Sequence, residues 1–207
     1  IPQISVSDPD NDAITCRYYL DGLLGDTRPI AGNTQTPQTV SFAALNMAAM
    51  QEGAHSIRFE AGDGSLTAGA SVNFIVDKTP PVISNFGIMS TANSITVTGS
   101  ATDALSGMDA KPYNYTVTDG TNTWQSGWKA ETTHIQGSLQ PNRSYTVELE
   151  AKDKVGNTAQ STATAWTKAQ VPATAVSNAT AATLNIAVSD GNPQGTEYQI
   201  AIGNKYI

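Results

Sequence analysis

Four oxygen-bearing side chains crowd one short stretch of the chain, Asp8-Pro-Asp10-Asn11-Asp12. Calcium takes about six to eight oxygen ligands, and closely spaced carboxylates supply several of them while backbone carbonyls complete the shell. Asp8, Asp10, Asn11 and Asp12 are therefore candidate calcium ligands. The stretch lacks the glycine and terminal glutamate of an EF-hand loop, so a solvated turn is the competing reading. A second constellation is aromatic. Trp124 and Trp128 flank Gln125-Ser-Gly127, with Tyr113 upstream, and their spacing puts both indoles on one face of a continuous strand. Exposed rings so placed stack on sugars or on partner side chains, which makes Tyr113, Trp124 and Trp128 candidate ligand-binding residues. The alternative is that both tryptophans cover a sheet edge, and a bulge at Gly127 would turn the two rings apart.

Nucleophilic chemistry finds less support. Cys16 is the single cysteine and alternates with Ile14 and Tyr18 on one strand face, the pattern of a buried apolar filler. His55 and His134 stand in no nucleophile or metal-ligand motif, and neither paired acids in a cleft pattern nor a phosphate-cradling glycine loop occurs. Asp103 and Asp153 each precede a Gly or Asn in loop-forming segments, Asp103-Ala-Leu-Ser-Gly107 and Asp153-Lys-Val-Gly-Asn157, where a carboxylate caps backbone donors. No catalytic residue is expected, and no cofactor besides calcium.

Charge narrows the partners. The 207 residues carry 11 basic and 18 acidic side chains, a net charge of -7, with no Lys/Arg cluster to recruit phosphates. Nucleic acid is excluded on that ground. No run of about 20 apolar residues spans a bilayer, so membrane insertion by this segment is not expected. The opening Ile1-Pro-Gln-Ile4 lacks the basic start and apolar core of a signal peptide, which implies a removed signal or excision from something larger.

The elements that hold these residues read as strands. Period-two alternation dominates residues 1–77, with runs at 4–6, 14–20, 38–42, 55–61 and 71–76, and Asp21-Gly22 as a turn. Residues 43–50 are good helix formers flanked by strands, an irregular crossover or a short helical turn. Strands covered on one face only require a second layer, which argues for a sandwich. Asp77-Lys-Thr-Pro-Pro81 then interrupts the pattern, and its two prolines predict a short, stiff junction. A second set of strands follows at 82–86, 94–99, 113–118, 124–129, 134–135, 144–151 and 158–166, with Asp119-Gly120 as a hairpin turn.

The two sets repeat in register. His55-Ser-Ile57-Arg-Phe59-Glu-Ala61 corresponds to Tyr145-Thr-Val147-Glu-Leu149-Glu-Ala151, so that His55 takes the place of Tyr145. Leu184-Asn-Ile186-Ala-Val188 echoes Ile95-Thr-Val97 and opens a third set, with room for about three strands before Ile207 against the seven of a full sandwich. Continuation beyond Ile207, or completion by another chain, is the expectation.

Leu139-Gln-Pro141 followed by Tyr145-Thr-Val147-Glu-Leu149 and Gly156 resembles the tyrosine corner and strand F of fibronectin type III domains, with Tyr113 and Tyr115 matching the aromatic strand before it. The strand B tryptophan usual in that family is absent from residues 94–99. Tyr18-Tyr-Leu-Asp21-Gly22 and Phe74-Ile-Val-Asp77-Lys-Thr-Pro-Pro81 are similar to bacterial immunoglobulin-like repeats. The resemblance implies an all-β chain of tandem immunoglobulin-like/fibronectin type III-like β-sandwiches. The expected domains are 1–78 (an immunoglobulin-like β-sandwich, complete or missing its first strand), 79–169 (fibronectin type III-like) and 170–207 (the incomplete start of another, with Tyr198-Gln-Ile200 as a strand). It also implies an extracellular setting, secreted or attached to a cell surface. There the chain is a non-catalytic spacer or adhesive module whose partners are neighbouring domains of the same polypeptide. The other function carried forward is a module that binds a surface protein or glycan through its exposed aromatics.

Overall fold

The computed structural model describes residues 1–32 and 34–171 and, beyond them, 173–177, 185–189, 192, 194, 197, 201–202 and 205–206. Every regular element among them is a strand. The chain divides into two compact units, Ile1–Lys78 and Thr79–Ile207.

The first unit contains β1 (Gln3–Val6), β2 (Ile14–Leu20), β3 (Leu23–Ile30), β4 (Gln38–Ser41), β5 (Gly53–Gly62) and β6 (Thr67–Val76). β1 pairs with β4, and a second sheet runs β3-β2-β5-β6, all antiparallel. Between the sheets lie Ile14, Cys16 and Tyr18 of β2, Val40 and Phe42 at β4, and Ile57 and Phe59 of β5. Alternation along β2 puts Cys16 fully inside, where burial pushes its thiol pKa up and keeps it an apolar filler. The Tyr18 ring meets Phe42 edge to face at 5.2 Å. β3 escapes the hydrophobic pattern because only Asp26 and Ile30 along it are even half-buried, so no period-two signal marks it. Its hairpin is nonetheless written at Asp21-Gly22, both at positive φ (50° and 82°), the backbone of a turn that matches strand twist. Residues 43–50 form an irregular crossover ending in a single turn, in which Ala49 and Met50 donate to the carbonyls of Asn46 and Met47.

Within the second unit, strands β7–β13 repeat that plan with one strand more. β7 (Val82–Ser90), β8 (Ile95–Thr102) and β11 (Thr133–Gln136) form one sheet in the order β11-β8-β7. β9 (Met108–Thr118), β10 (Thr123–Gln125), β12 (Ser144–Asp153) and β13 (Thr158–Trp166) form the other in the order β10-β9-β12-β13. The pairing of β1 with β4 thus recurs as β8 with β11, and β3-β2-β5-β6 recurs as β10-β9-β12-β13. Buried Ile95 and Val97 from one sheet face Tyr115, Val117, Tyr145, Val147 and Leu149 from the other. Burying side chains of this size is worth roughly 1.5–3 kcal/mol each, which makes this core the main source of the unit's stability. The sheets approach so closely at Gly99 that a Cβ there would stand 2.2 Å from Leu149 Cδ2. That distance explains a glycine in the middle of β8.

Beyond β13, β14 (Ala173–Ser177) pairs with β15 (Asn185–Ser189), and β16 (Ala201–Ile202) with β17 (Lys205–Tyr206). The strand expected at Tyr198-Gln-Ile200 lies outside the described residues. Among the described residues no helix is long and apolar enough to cross a membrane.

Candidate functional site

The aromatic trio is not one surface. Trp124 pairs with Val117 at the edge of β9, and its indole points with Val117 toward the core, 6.2 Å from the Tyr145 ring. After Gln125 the strand ends. Ser126 still bonds Tyr115 in both directions, its N–H donating to the Tyr115 carbonyl (2.9 Å) and its Oγ accepting from the Tyr115 N–H (2.9 Å). Gly127 then adopts a positive φ of 67°, and pairing resumes as a single bridge between Lys129 and Tyr113. The detour reverses the facing, so Trp128 lies against Lys152, whose Nζ stands 4.6 Å from the indole centroid on the solvent side of β12. Tyr113 is only 6% exposed, and its Oη accepts the Ala101 N–H at 3.1 Å. Of the two readings of the tryptophan pair, the one in which Gly127 turns the rings apart is the one the geometry favours. Gly127 in the left-handed region sends Trp124 and Trp128 to opposite faces, and Tyr113 belongs to the core.

The acidic loop is also rearranged. Asp8 is 9% exposed, and its Oδ1 accepts the Asp10 N–H at 3.1 Å. The Asn11 carboxamide oxygen accepts the Thr34 N–H at 2.9 Å, while Thr34 Oγ1 donates to the Asp12 carbonyl at 2.9 Å. Asn11 itself sits at φ 65°. Asp10 is exposed. Carboxylate oxygens of Asp8 and Asp12 do converge, and the third carboxylate beside them is Asp63 of the β5–β6 turn. Of the three expected carboxylates, Asp10 stands outside the cluster and contributes its N–H to Asp8, while the Asn11 side-chain oxygen accepts from Thr34. Asp63 escaped sequence reasoning because it lies some fifty positions away and looks like an ordinary turn residue. Only the register of β2 on β5 brings it near.

The other polar groups singled out by sequence hold turns. Asp103 Oδ1 accepts the N–H groups of Leu105 (3.1 Å) and Gly107 (2.7 Å). Asp153, fully buried, accepts from the backbone of Val155, Gly156 and Asn157 at 2.7–2.9 Å. Tyr145 Oη accepts the Gln140 N–H at 2.9 Å, closing the corner that leads into β12. His55, at the matching place in β5, reaches back in the same manner and approaches the Gln51 carbonyl with Nε2 at 2.9 Å. His134 stacks on Tyr115 with ring centroids 5.6 Å apart. Burial, and after it the nearby Lys129 charge, lowers the His134 pKa from its usual value. Tyr115 Oη donates to the Glu131 carbonyl at 2.9 Å, and burial, with smaller contributions from Tyr113 and Glu131, pushes its pKa up to about 12.

No protein-family model matches the chain, and no curated protein matches it. Among solved structures, the chicken CNTN1 FN1–FN3 domains align at 12% identity over 76% of this chain and 56% of that one, with a TM-score of 0.42. The chain therefore spans little more than half the length of that relative. Domains A168–A170 from titin align at 11% identity over 81% of this chain and 67% of that one, with a TM-score of 0.49. The fold is all-β, and its two units are built from antiparallel sheets on one repeated strand order.

Proposed function

We propose that this chain is a non-catalytic structural spacer of a bacterial surface or secreted multidomain protein, in which each sandwich serves as a folded length of chain between neighbouring domains. The observation that carries this reading is the use of the reactive side chains. His55, Tyr145, Asp103 and Asp153 each hold a turn or a corner of the fold, and two units built on one strand order recur along the chain. The bacterial setting rests on the likeness of Asp77-Lys-Thr-Pro-Pro81 to the linkers of bacterial immunoglobulin-like repeats. The start of another fibronectin type III-like domain at residues 170–207 belongs to the same proposal and extends the repeat.

Screening the 207-residue chain against glycans and surface proteins tests this reading. A spacer shows no saturable binding. Saturable binding that disappears in Trp128→Ala would replace it with an adhesive role centred on the solvent face of β12, where Trp128 and Lys152 meet.

A further inference from the structure

Three peptide segments meet at one end of the Ile1–Lys78 unit. The register of β2 on β5 sets Thr15 opposite Gly62, so the loop before β2 and the turn after β5 emerge side by side. Asp12 stands in that loop and Asp63 in that turn, while Asp8 follows β1 of the other sheet. One carboxylate oxygen from each lies within 4.8 Å of the other two. The loop is not free to spread. The Asp8 N–H donates to the Thr34 carbonyl at 2.7 Å, and fully buried Thr34 grips Asn11 and Asp12 from the same side.

Two further features make the cluster a site. Asp8 is more than nine-tenths buried, and its Oδ2 has no hydrogen-bond partner, although a carboxylate oxygen taken out of water requires one. Asp63 is held in place. The N–H groups of Leu66 (2.7 Å) and Ser65 (2.6 Å) both donate to its Oδ1 and fix the carboxylate beside Asp8 and Asp12. A cation beside Asp12 and Asp63 would give the orphaned, buried Asp8 oxygen the partner it lacks. A cavity of about 510 Å³, lined in part by Ser5, Ser7, Asp8, Asp63 and Thr67, adjoins the cluster and leaves room for water ligands.

We propose that Asp8, Asp12 and Asp63 bind a calcium ion that ties the β1–β2 loop to the β5–β6 turn. The donors are all oxygen, which selects a hard cation. Calcium accepts oxygens from a loop and a turn in flexible geometry, whereas magnesium demands a near-ideal octahedron and gives up its waters reluctantly. The site is independent of the spacer reading and stands or falls separately.

Calcium chloride titrated into the chelator-treated 207-residue chain, followed by calorimetry and thermal melting, tests the assignment. One saturable site is expected, with a Kd of about 10⁻⁴–10⁻³ M as in extracellular calcium modules, together with a rise in Tm. Asp12→Asn and Asp63→Asn should each weaken binding by about tenfold or more, as expected when one charged ligand is lost. The amide of Asp63→Asn retains an oxygen to accept from Ser65 and Leu66, and the Asp12 side chain is exposed, so both variants fold. Asp10→Asn should bind like the parent. The proposal is overturned by the absence of heat and Tm shift up to about 10 mM calcium, well above that range. It is equally overturned if magnesium matches calcium, or if Asp10→Asn abolishes binding while Asp12→Asn and Asp63→Asn retain it.

Discussion

His55 Nδ1 stands 2.7 Å from Asp21 Oδ2, and the opposite ring nitrogen stands 2.9 Å from the Gln51 carbonyl oxygen. Both neighbours are acceptors, so both nitrogens must carry protons for the two contacts to be hydrogen bonds, and the ring they select is the imidazolium. The bond to Asp21, and then the bond to Gln51, raise the His55 pKa above its usual 6.5 against a smaller opposing effect of burial. The same contact, helped by the Ser56 N–H, lowers the pKa of Asp21.

The pH dependence of the first unit follows from these two shifts. A raised histidine pKa means that the folded form holds its proton longer, so the stabilisation is complete below about 6.5 and is lost as pH rises through the higher folded value. Asp21 contributes above its unfolded value and loses that contribution as pH falls through its lower folded one. The pair is therefore strongest between those limits, in mildly acidic solution. Histidine ring NMR should give His55 a pKa above 6.5 in the native chain and a value nearer 6.5 in Asp21→Asn.

The His134 pKa in the second unit is shifted the other way, and its contribution to stability has the opposite pH dependence. Its depressed pKa means that the unfolded chain binds the proton more readily, so its contribution is complete above about 6.5 and fades as pH falls toward the folded value. Acidification from neutral pH should weaken the His134 contribution while the His55 contribution is retained. Following each ring by NMR in one titration checks this, with the two midpoints falling on opposite sides of 6.5.

Tyr145 is 1% exposed, and its hydroxyl oxygen is the acceptor for the Gln140 N–H. Tyr145→Phe keeps the ring against Trp124 and removes only the acceptor. Leaving a part-buried donor unsatisfied costs about 1–3 kcal/mol, so chemical denaturation should show a loss of that size with an unchanged slope. Truncation to Ala should cost more, about 3–5 kcal/mol by analogy with other large aromatics, because a core ring is lost as well.

Sequence patterning reached the parts of this fold in which a strand has one wet and one dry face. β2, β5, β8 and β12 alternate clearly, and the turns at Asp21-Gly22, Asp103–Gly107 and Asp153–Asn157 announce themselves through residues suited to positive φ or to capping. β3 was hidden because it is mostly exposed on both faces. The tryptophan pair left two readings open for a related reason: spacing defines a face only while the strand continues, and this one ends after Gln125, before the positive φ of Gly127. The acidic cluster was half legible. Asp8 and Asp12 lie close in sequence, whereas Asp63 joins them through strand register, a long-range property that no local window contains.

The spacer reading is tested most directly by stretching the 207-residue chain between its ends in a single-molecule force measurement. Two folded sandwiches predict discrete unfolding events in each extension. One should release the Ile1–Lys78 unit and another the β7–β13 sandwich, each lengthening the chain by about 3.3–3.6 Å per residue freed. Smooth extension at low force, without separate events, would contradict the account, since a chain that yields continuously holds no fixed spacing between its neighbours.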